Sequence, residues 1–328
     1  MRAPCGGAAT DARYDARMSS RRRLWIDTDT ASDDAVALLM ALRHPAAEVV
    51  GISVVAGNVP LPQAVQCALY TVELAGAKVP VHAGADRSLV RPFTTAQFVH
   101  GEDGMGDIGL PLSGRTPASH DGVQAMIEAF RRAPGELDLV ALGPLTNLAL
   151  ALRAEPQFAS WVRRCVVMGG TGVLPGNITP LAEFNFWIDP EAAQILFESG
   201  IAIEMVGWDV SVADAVIDDA LATEIRAIGP LGEFCIDIQR VLRRFCEASS
   251  KLAGFDWPDP IAMAVALEPD IVTREAHRRV EIMLGDGHVR GQSSVDHLGA
   301  TKREPNCRVV YRADRERFIA MVKAACRP

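Results

Sequence analysis

The chain has 328 residues, 49% of them hydrophobic and 23% charged, with a formal net charge of −8. This is globular composition, long enough for one large α/β domain or two small ones. Nothing in this acidic balance suggests the basic face that a nucleic-acid partner needs, and no apolar run reaches the about 18 to 20 residues of a membrane-spanning helix.

Residues 1–22 are small, polar and Arg-bearing, without the apolar stretch of a signal peptide. They read as a disordered tail with Met18 as a candidate start, and 23–328 as one domain. "RRLWI" reads as a strand. "SDDAVALLMALRH" follows as a helix, with Ser32 a candidate N-cap and acids in the first turn, where the helix dipole favours them. "EVVGISVVAG" is a β-branched buried strand, "LPQAVQCALYTVELAG" a helix and "VPVHAG" a short strand. Residues 86–120 lack periodicity and carry "HGEDGMGDIGLP", and long irregular stretches inside compact domains are usually functional. Next come a helix ("DGVQAMIEAFRRA"), a strand ("ELDLVALG"), a helix ("PLTNLALALRAE") and a strand ("WVRRCVVMGG"). A Gly- and Pro-rich loop, "TGVLPGNITPLAEFNFWI", precedes the helix "DPEAAQILFESG" and the strand "IAIEMVGWD". Two helices follow, "IDDALATEIRAIG" and "GEFCIDIQRVLRRFCEASSKLA", then a third, "DPIAMAVALEP". "RRVEIMLG" and "CRVVYRAD" read as sheet-edge strands, and "RERFIAMVKAAC" closes the chain as a helix.

Strand and helix alternate through most of the length, which predicts a doubly wound, mostly parallel α/β sheet in a single domain. Ligands in such folds bind beyond the carboxyl ends of the strands. The polar clusters sit there: Asp27 to Asp34, Asn58, Met168 to Gly170, and Trp208 with Asp209. Seven cysteines, an odd number without a CxxC pair, point to reduced thiols in the cytoplasm rather than a disulfide frame or a zinc site.

"WIDTDTASDDAVALLMAL" gathers Asp27, Asp29, Asp33 and Asp34 within eight residues. Like charges this close raise one another's pKa. One reading makes them helix-start acids and solvated loop charges. Another makes them a site for a hard cation, which takes carboxylate and carbonyl oxygens. Asp29 and Asp34 can both point inward across a strand-to-helix turn, and "WPDPIA" offers a third acid, Asp259, which also reads as an N-cap before Pro260. A third reading starts from "DTDTA", which resembles the DxDx[TV] loop of haloacid-dehalogenase-like phosphatases. Ala31 stands where that loop has Thr or Val, and no convincing late Lys and acidic pair follows.

"DTDTASDDAVALLMAL" also resembles the DxDxxxDDxxA signature of the inosine-uridine nucleoside hydrolases. "VVAGN" (54–58), "HGEDGMG" (100–106), "LGPLTNLA" (142–149), "VVMGG" (166–170), "GN" (176–177), "AEFNFWIDPEAA" (182–193) and "PDPIAMA" (258–264) resemble further blocks of that family, in its order and spacing, from residue 23 to about 325. The resemblance implies a Rossmann-like fold and hydrolysis of the N-glycosidic bond of a small ribonucleoside with calcium. It implies calcium ligation by Asp29, Asp34, Asp259 and the carbonyl of Leu142, with Asp29 also the general base toward the attacking water. Asp33, Asn58, Asn177, Glu183 and Asn185 match positions that hold ribose hydroxyls, a task Asp259 shares. Met168 matches a residue lying against the sugar, and Asp27 a supporting position behind the site. A homodimer or homotetramer is implied as well.

The chain departs from that pattern where the leaving base would be protonated. Pro258 stands where many members have a His, and Leu242 and Cys246 stand where several have tyrosines. His100, in its Gly-rich stretch, and Trp257, which could stack on a purine or simply pack, are the remaining candidates to meet the base. Arg243, Arg244 and Glu247 share the nearby helix. Hydrolysis of a non-standard N-riboside, and a non-catalytic ribose or nucleoside binder, are the competing functions.

Overall fold

The computed structural model describes residues 21–249 and 252–328. The tail assigned to 1–22 therefore lies outside the described residues except at its end, where the boundary needs correcting. Arg22 opens the first strand, because its backbone N–H bonds Ala46 and its guanidinium reaches the buried Asp138 at 3.2 Å.

The elements that position the site are β1 (Arg22–Thr28), α1 (Ser32–Arg43), β2 (Ala47–Val54), α2 (Leu61–Leu74), β3 (Val81–Ala83), α3 (Gly122–Arg132), β4 (Asp138–Ala141), α4 (Thr146–Ala154), β5 (Arg164–Met168), α5 (Pro190–Phe197), β6 (Ile203–Val206), α6 (Trp208–Asp214), α7 (Pro230–Asp237), α8 (Arg240–Ser249), α9 (Pro258–Leu267), β7 (Val272–Arg278), β8 (Cys307–Ala313) and α10 (Arg315–Cys326). The eight strands form one sheet in the order β3-β2-β1-β4-β5-β6-β8-β7, parallel except for β7. Both faces are covered. The apolar sides of α1, α2, α9 and α10 pack in one core, and those of α3, α4 and α5 in the other. This is why β4, β5 and β6 read as continuous apolar runs rather than alternating ones. The doubly wound single domain expected from the sequence is the fold observed. No described helix is long and apolar enough to cross a membrane.

The chain winds from β1 outward to β3, then returns to place β4 on the other side of β1. A crevice opens where the winding reverses, and ligands of open α/β sheets bind there. The strand ends at this point are tied together: Val55 donates to the carbonyl of Thr28, and Leu142 to that of Asp27.

Several local expectations need correcting. Ser32 is the first residue of α1 rather than its cap; Ala31 holds that place, and the Asp34 carboxylate accepts the Ala31 N–H at 2.9 Å. Asp259 is the second residue of α9, which starts at Pro258. The long helix expected from "GEFCIDIQRVLRRFCEASSKLA" breaks between α7 and α8, at Ile238 and Gln239. "CRVVYRAD" is β8, an interior strand between β6 and β7. "RRVEIMLG" contributes Val280–Ile282 to a separate two-stranded sheet with Ser293–Val295.

Candidate active site

Asp29, Asp33 and Asp34 are all buried at the carboxyl end of β1. Asp34 Oδ1 accepts the Thr28 hydroxyl at 2.5 Å, and Oδ2 accepts Asn58 Nδ2 at 3.3 Å. Asp29 Oδ2 accepts the Asn58 backbone N–H at 2.7 Å. Asp29 is enclosed on two sides by glycines: a Cβ on Gly57 would lie 2.0 Å from Oδ2, and one on Gly143 2.5 Å from Oδ1. The loops after β2 and β4 can approach this carboxylate only without side chains.

Carboxylate oxygens of Asp33, Asp34 and Asp259 lie within 4.8 Å of one another. Asp29 stands outside that triplet but repels Asp34 and Asp33 and shares Asn58 with Asp34. Burial, compounded by these neighbours, raises Asp29 and Asp259 well above the usual carboxylate range and Asp34 to about 6; burial, with Asp256 beside it, raises Asp33 to about 7. Asp29 Oδ1 and Asp33 Oδ1 are buried without a hydrogen-bond partner. Buried acids left this way are costly unless a cation balances them, so the oxygen-only donor set fits a hard divalent ion.

Behind the acids, Asp27 accepts hydrogen bonds from the Ser53 hydroxyl and, at 2.8 Å, from Asn147 Nδ2. Asn147 in turn accepts the Ala85 N–H at 2.8 Å, which fixes the entry to the irregular 86–120 segment. The Leu142 carbonyl at the end of β4 accepts Asn185 Nδ2 at 2.7 Å, and the same amide reaches Met168 O at 3.3 Å and Sδ at 3.2 Å. Glu183 caps the helix Phe184–Ile188, with Oε1 on the Asn185 N–H at 2.8 Å and Oε2 on the Gly170 N–H at 2.8 Å. Burial pushes it up to about 7. Asn177 accepts the Phe184 N–H at 3.0 Å. The loop carrying it is pinned by Asp209, which accepts from Gly172 at 2.9 Å and Val173 at 3.0 Å.

One cavity gathers most of these groups. Asp33, Asn58, His100, Leu142, Met168, Asn177, Glu183, Asn185 and Asp259 line it, while Asp29 and Asp34 sit beneath the surface. Trp208, expected on this rim from its place after a strand, lines it too, as do Phe98, Phe245 and Asp256, which the sequence missed. Phe98 and Phe245 meet edge to face at 5.7 Å. Asp256 accepts the Ser211 hydroxyl at 2.6 Å. Only "FDWPD" hinted at Asp256; nothing local marked Phe98 and Phe245.

The structure does not bring Trp257 to the cavity. Its indole is fully buried, packed edge to face on Phe255 at 5.5 Å, with Nε1 unpaired. The reason is the start of α9 at Pro258, which turns the preceding side chain into the core. Trp257→Ala should cost about 3–5 kcal/mol of stability and leave the ratio of purine to pyrimidine turnover unchanged. Denaturant unfolding and kcat/KM on both classes check this. Arg243, Arg244 and Glu247 do not line the cavity; Arg243 and Glu247 pair at 3.1 Å on the exposed side of α8.

His100 is buried, with Nδ1 2.9 Å from Ser32 Oγ and 3.6 Å from Asp33. Burial lowers it to about 4, against the pull of Asp34. At neutral pH it is therefore an uncharged imidazole.

The family model for inosine-uridine preferring nucleoside hydrolases matches residues 24–320. The chain is 34% identical over 309 residues to the pyrimidine-specific ribonucleoside hydrolase RihB of Escherichia coli (strain SE11), a match covering 94% of this chain and 97% of that one. It is similar in structure to the plant nucleoside hydrolase PpNRh1 (TM-score 0.86, 31% identity, 93% of this chain and 98% of that one). It is also similar to the purine-preferring ribonucleoside hydrolase from Gardnerella vaginalis (TM-score 0.85, 29% identity, the same coverage). Sheet, cavity and relatives together define an N-ribosyl hydrolase. The chain belongs to the inosine-uridine preferring nucleoside hydrolase family.

Proposed function

We propose that this protein is a calcium-dependent hydrolase of ribonucleosides, releasing ribose and a free base. The observation that carries the reading is the orphaned Asp29 Oδ1 beside the Asp33, Asp34 and Asp259 triplet, under a cavity lined by Asn58, Glu183 and Asn185. Asp29, Asp34, Asp259 and the Leu142 carbonyl would hold the ion, which when bound neutralises the acids and acidifies water. Asp29 Oδ2 is tied to Asn58, which leaves Oδ1 to take the proton of the attacking water. Asp33, Asn58, Asn177, Glu183, Asn185 and Asp259 grip the ribose hydroxyls, spending binding energy remote from the breaking bond. Glycoside cleavage passes through an oxocarbenium-like sugar. The anionic and carbonyl oxygens around the cavity stabilise that developing positive charge, and Met168 lies against the sugar. The C1′–N bond breaks with its electron pair leaving on the base. Reducing-sugar release from a nucleoside panel tests the activity; binding without release would make the protein a ribose binder instead.

The base end supports a narrower reading. Pro258 lines the cavity and has no proton to give, and His100 is uncharged. General acid catalysis typically contributes about 10²- to 10⁴-fold. Its absence makes rates depend steeply on leaving-group acidity, which favours a riboside whose leaving group needs no proton. A riboside with an activated phenolic leaving group should be cut well, and inosine and uridine poorly. Rapid hydrolysis of both natural nucleosides, unchanged in His100→Ala, would contradict this. The relatives divide between pyrimidine-specific and purine-preferring names, so no base is carried over from them. A cytoplasmic location, supported by the cysteine pattern, and a homodimer or homotetramer, implied by the family resemblance, belong to the same proposal; light scattering after gel filtration reads the second.

A further inference from the structure

Six cysteines lie among the described residues, and all six are buried. Two of them meet. Cys235 on α7 and Cys326, the last residue of α10, are 91 positions apart in sequence, yet their Sγ atoms lie 3.7 Å apart in a thiol–thiol hydrogen bond. A disulfide bond is about 2.05 Å long, so closure asks for a small approach of two side chains already facing each other. Cys326 itself is buried, and Arg327 and Pro328, which follow it, are exposed. Arg43 of α1 donates to the Arg327 carbonyl at 2.5 Å, which brings a guanidinium to this corner.

We propose that Cys235 and Cys326 are a peroxide-oxidisable dithiol that closes to a disulfide and staples α7 to the C-terminal helix. The two thiols divide the work. Their mutual hydrogen bond and the Arg43 charge hold the Cys326 thiol below its ordinary value, whereas that bond and burial push Cys235 up. Burial pushes Cys67, Cys165 and Cys307 up as well, which keeps them protonated. Cys326 is thus the thiol that attacks. Its thiolate displaces hydroxide from hydrogen peroxide, breaking the O–O bond and becoming a sulfenic acid. Cys235 then loses its proton and attacks that sulfur, and the S–OH bond breaks to release water. The two sulfurs give up two electrons, and one peroxide becomes two waters.

The staple reaches toward the cavity. Gln239 Nε2, just past α7, donates to the Cys235 carbonyl at 3.2 Å and to the Ser32 carbonyl at 2.9 Å. α7 also leads into α8, which carries Leu242 and Phe245 to the cavity wall.

The test treats the reduced full-length protein with hydrogen peroxide, alkylates it after denaturation and maps the peptides. The proposal expects one linked pair containing Cys235 and Cys326, the loss of two alkylatable thiols, and reversal by dithiothreitol. Closing so long a loop should also raise the thermal midpoint by about 5 °C. Cys326→Ser should abolish both the link and the rise, and Cys235→Ala should do the same should the serine variant fail to fold. Any of four results overturns the proposal: both thiols staying alkylatable, Cys326 passing to sulfinic acid without a link, a link to another cysteine such as Cys5, or a link with no rise.

Discussion

Asp34→Ala is expected to abolish tight calcium binding and, with it, ribose release. Asp34 is the most connected of the clustered acids: it holds Thr28, Ala31 and Asn58 by hydrogen bonds and stands beside Asp33 and Asp259. Removing it leaves the ion a carboxylate short and frees the turn that aims Asn58. Losing even an outer partner of a metal ligand costs about 10- to 100-fold in affinity, so losing a ligand should cost more than 100-fold. The sign of the pH dependence follows from the raised acids. In the metal-free protein these groups bind protons more tightly than in the unfolded chain. That protein should therefore lose stability as pH rises from about 4, the ordinary carboxylate value, through the 6 to 7 range of Asp34 and Asp33. Calcium competes with the same protons, so its affinity should rise over that window. Thermal midpoints with and without calcium from pH 5 to pH 8 read both effects. The calcium-induced shift should be small at pH 5 and large at pH 8, and nearly absent in Asp34→Ala at either. A shift that is flat with pH, or intact in the variant, would place the ion elsewhere.

The second large effect is on the sugar. Ribonucleosides should outperform their 2′-deoxy counterparts by about 10⁴-fold in kcat/KM. A site built to pair with a hydroxyl is left with buried, unpaired polar groups when the hydroxyl is missing. Asp33 Oδ1 is such a group, buried and without a hydrogen-bond partner, and Asn58 faces the same cavity. Asn58→Ala should erase much of the discrimination by slowing the ribonucleosides, with little further loss on the deoxy series. Comparable kcat/KM for the two series in the unaltered enzyme would remove Asp33 and Asn58 from the sugar grip.

The acid cluster and the cavity-lining amides were legible because they are local. Asp27 to Asp34 fall on one strand-to-helix turn, and Asn58, Leu142 and Met168 each follow the apolar run that delivers them to the same rim. The base end was not legible, because it depends on contacts between distant segments. Phe98 meets Phe245 across 147 positions, and Asp256 meets Ser211 across 45. Trp257 and Trp208 both flank strands and are alike as words; only the placement of α9 and α6 decides that the first is core and the second cavity wall. The placing of β8 at an edge failed for a similar reason. Arg308 looks like a solvent-facing charge, yet it pairs with Glu204 on β6 at 3.2 Å and with Glu275 on β7; Arg312 is exposed and also reaches the buried Asp214 on α6 at 2.7 Å. An interior strand tolerates Arg308 because acids on both neighbouring strands receive it.

The central claim is that a cation held by the buried acids drives hydrolysis of the N-ribosyl bond. Its most direct test is free-ribose release from a panel of ribonucleosides and one activated riboside, using enzyme stripped by a chelator and then given back calcium. No ribose is expected from the stripped enzyme, and release should be restored when calcium returns, fastest with the activated leaving group. Undiminished release without metal, or no release from any riboside with calcium present, would contradict it.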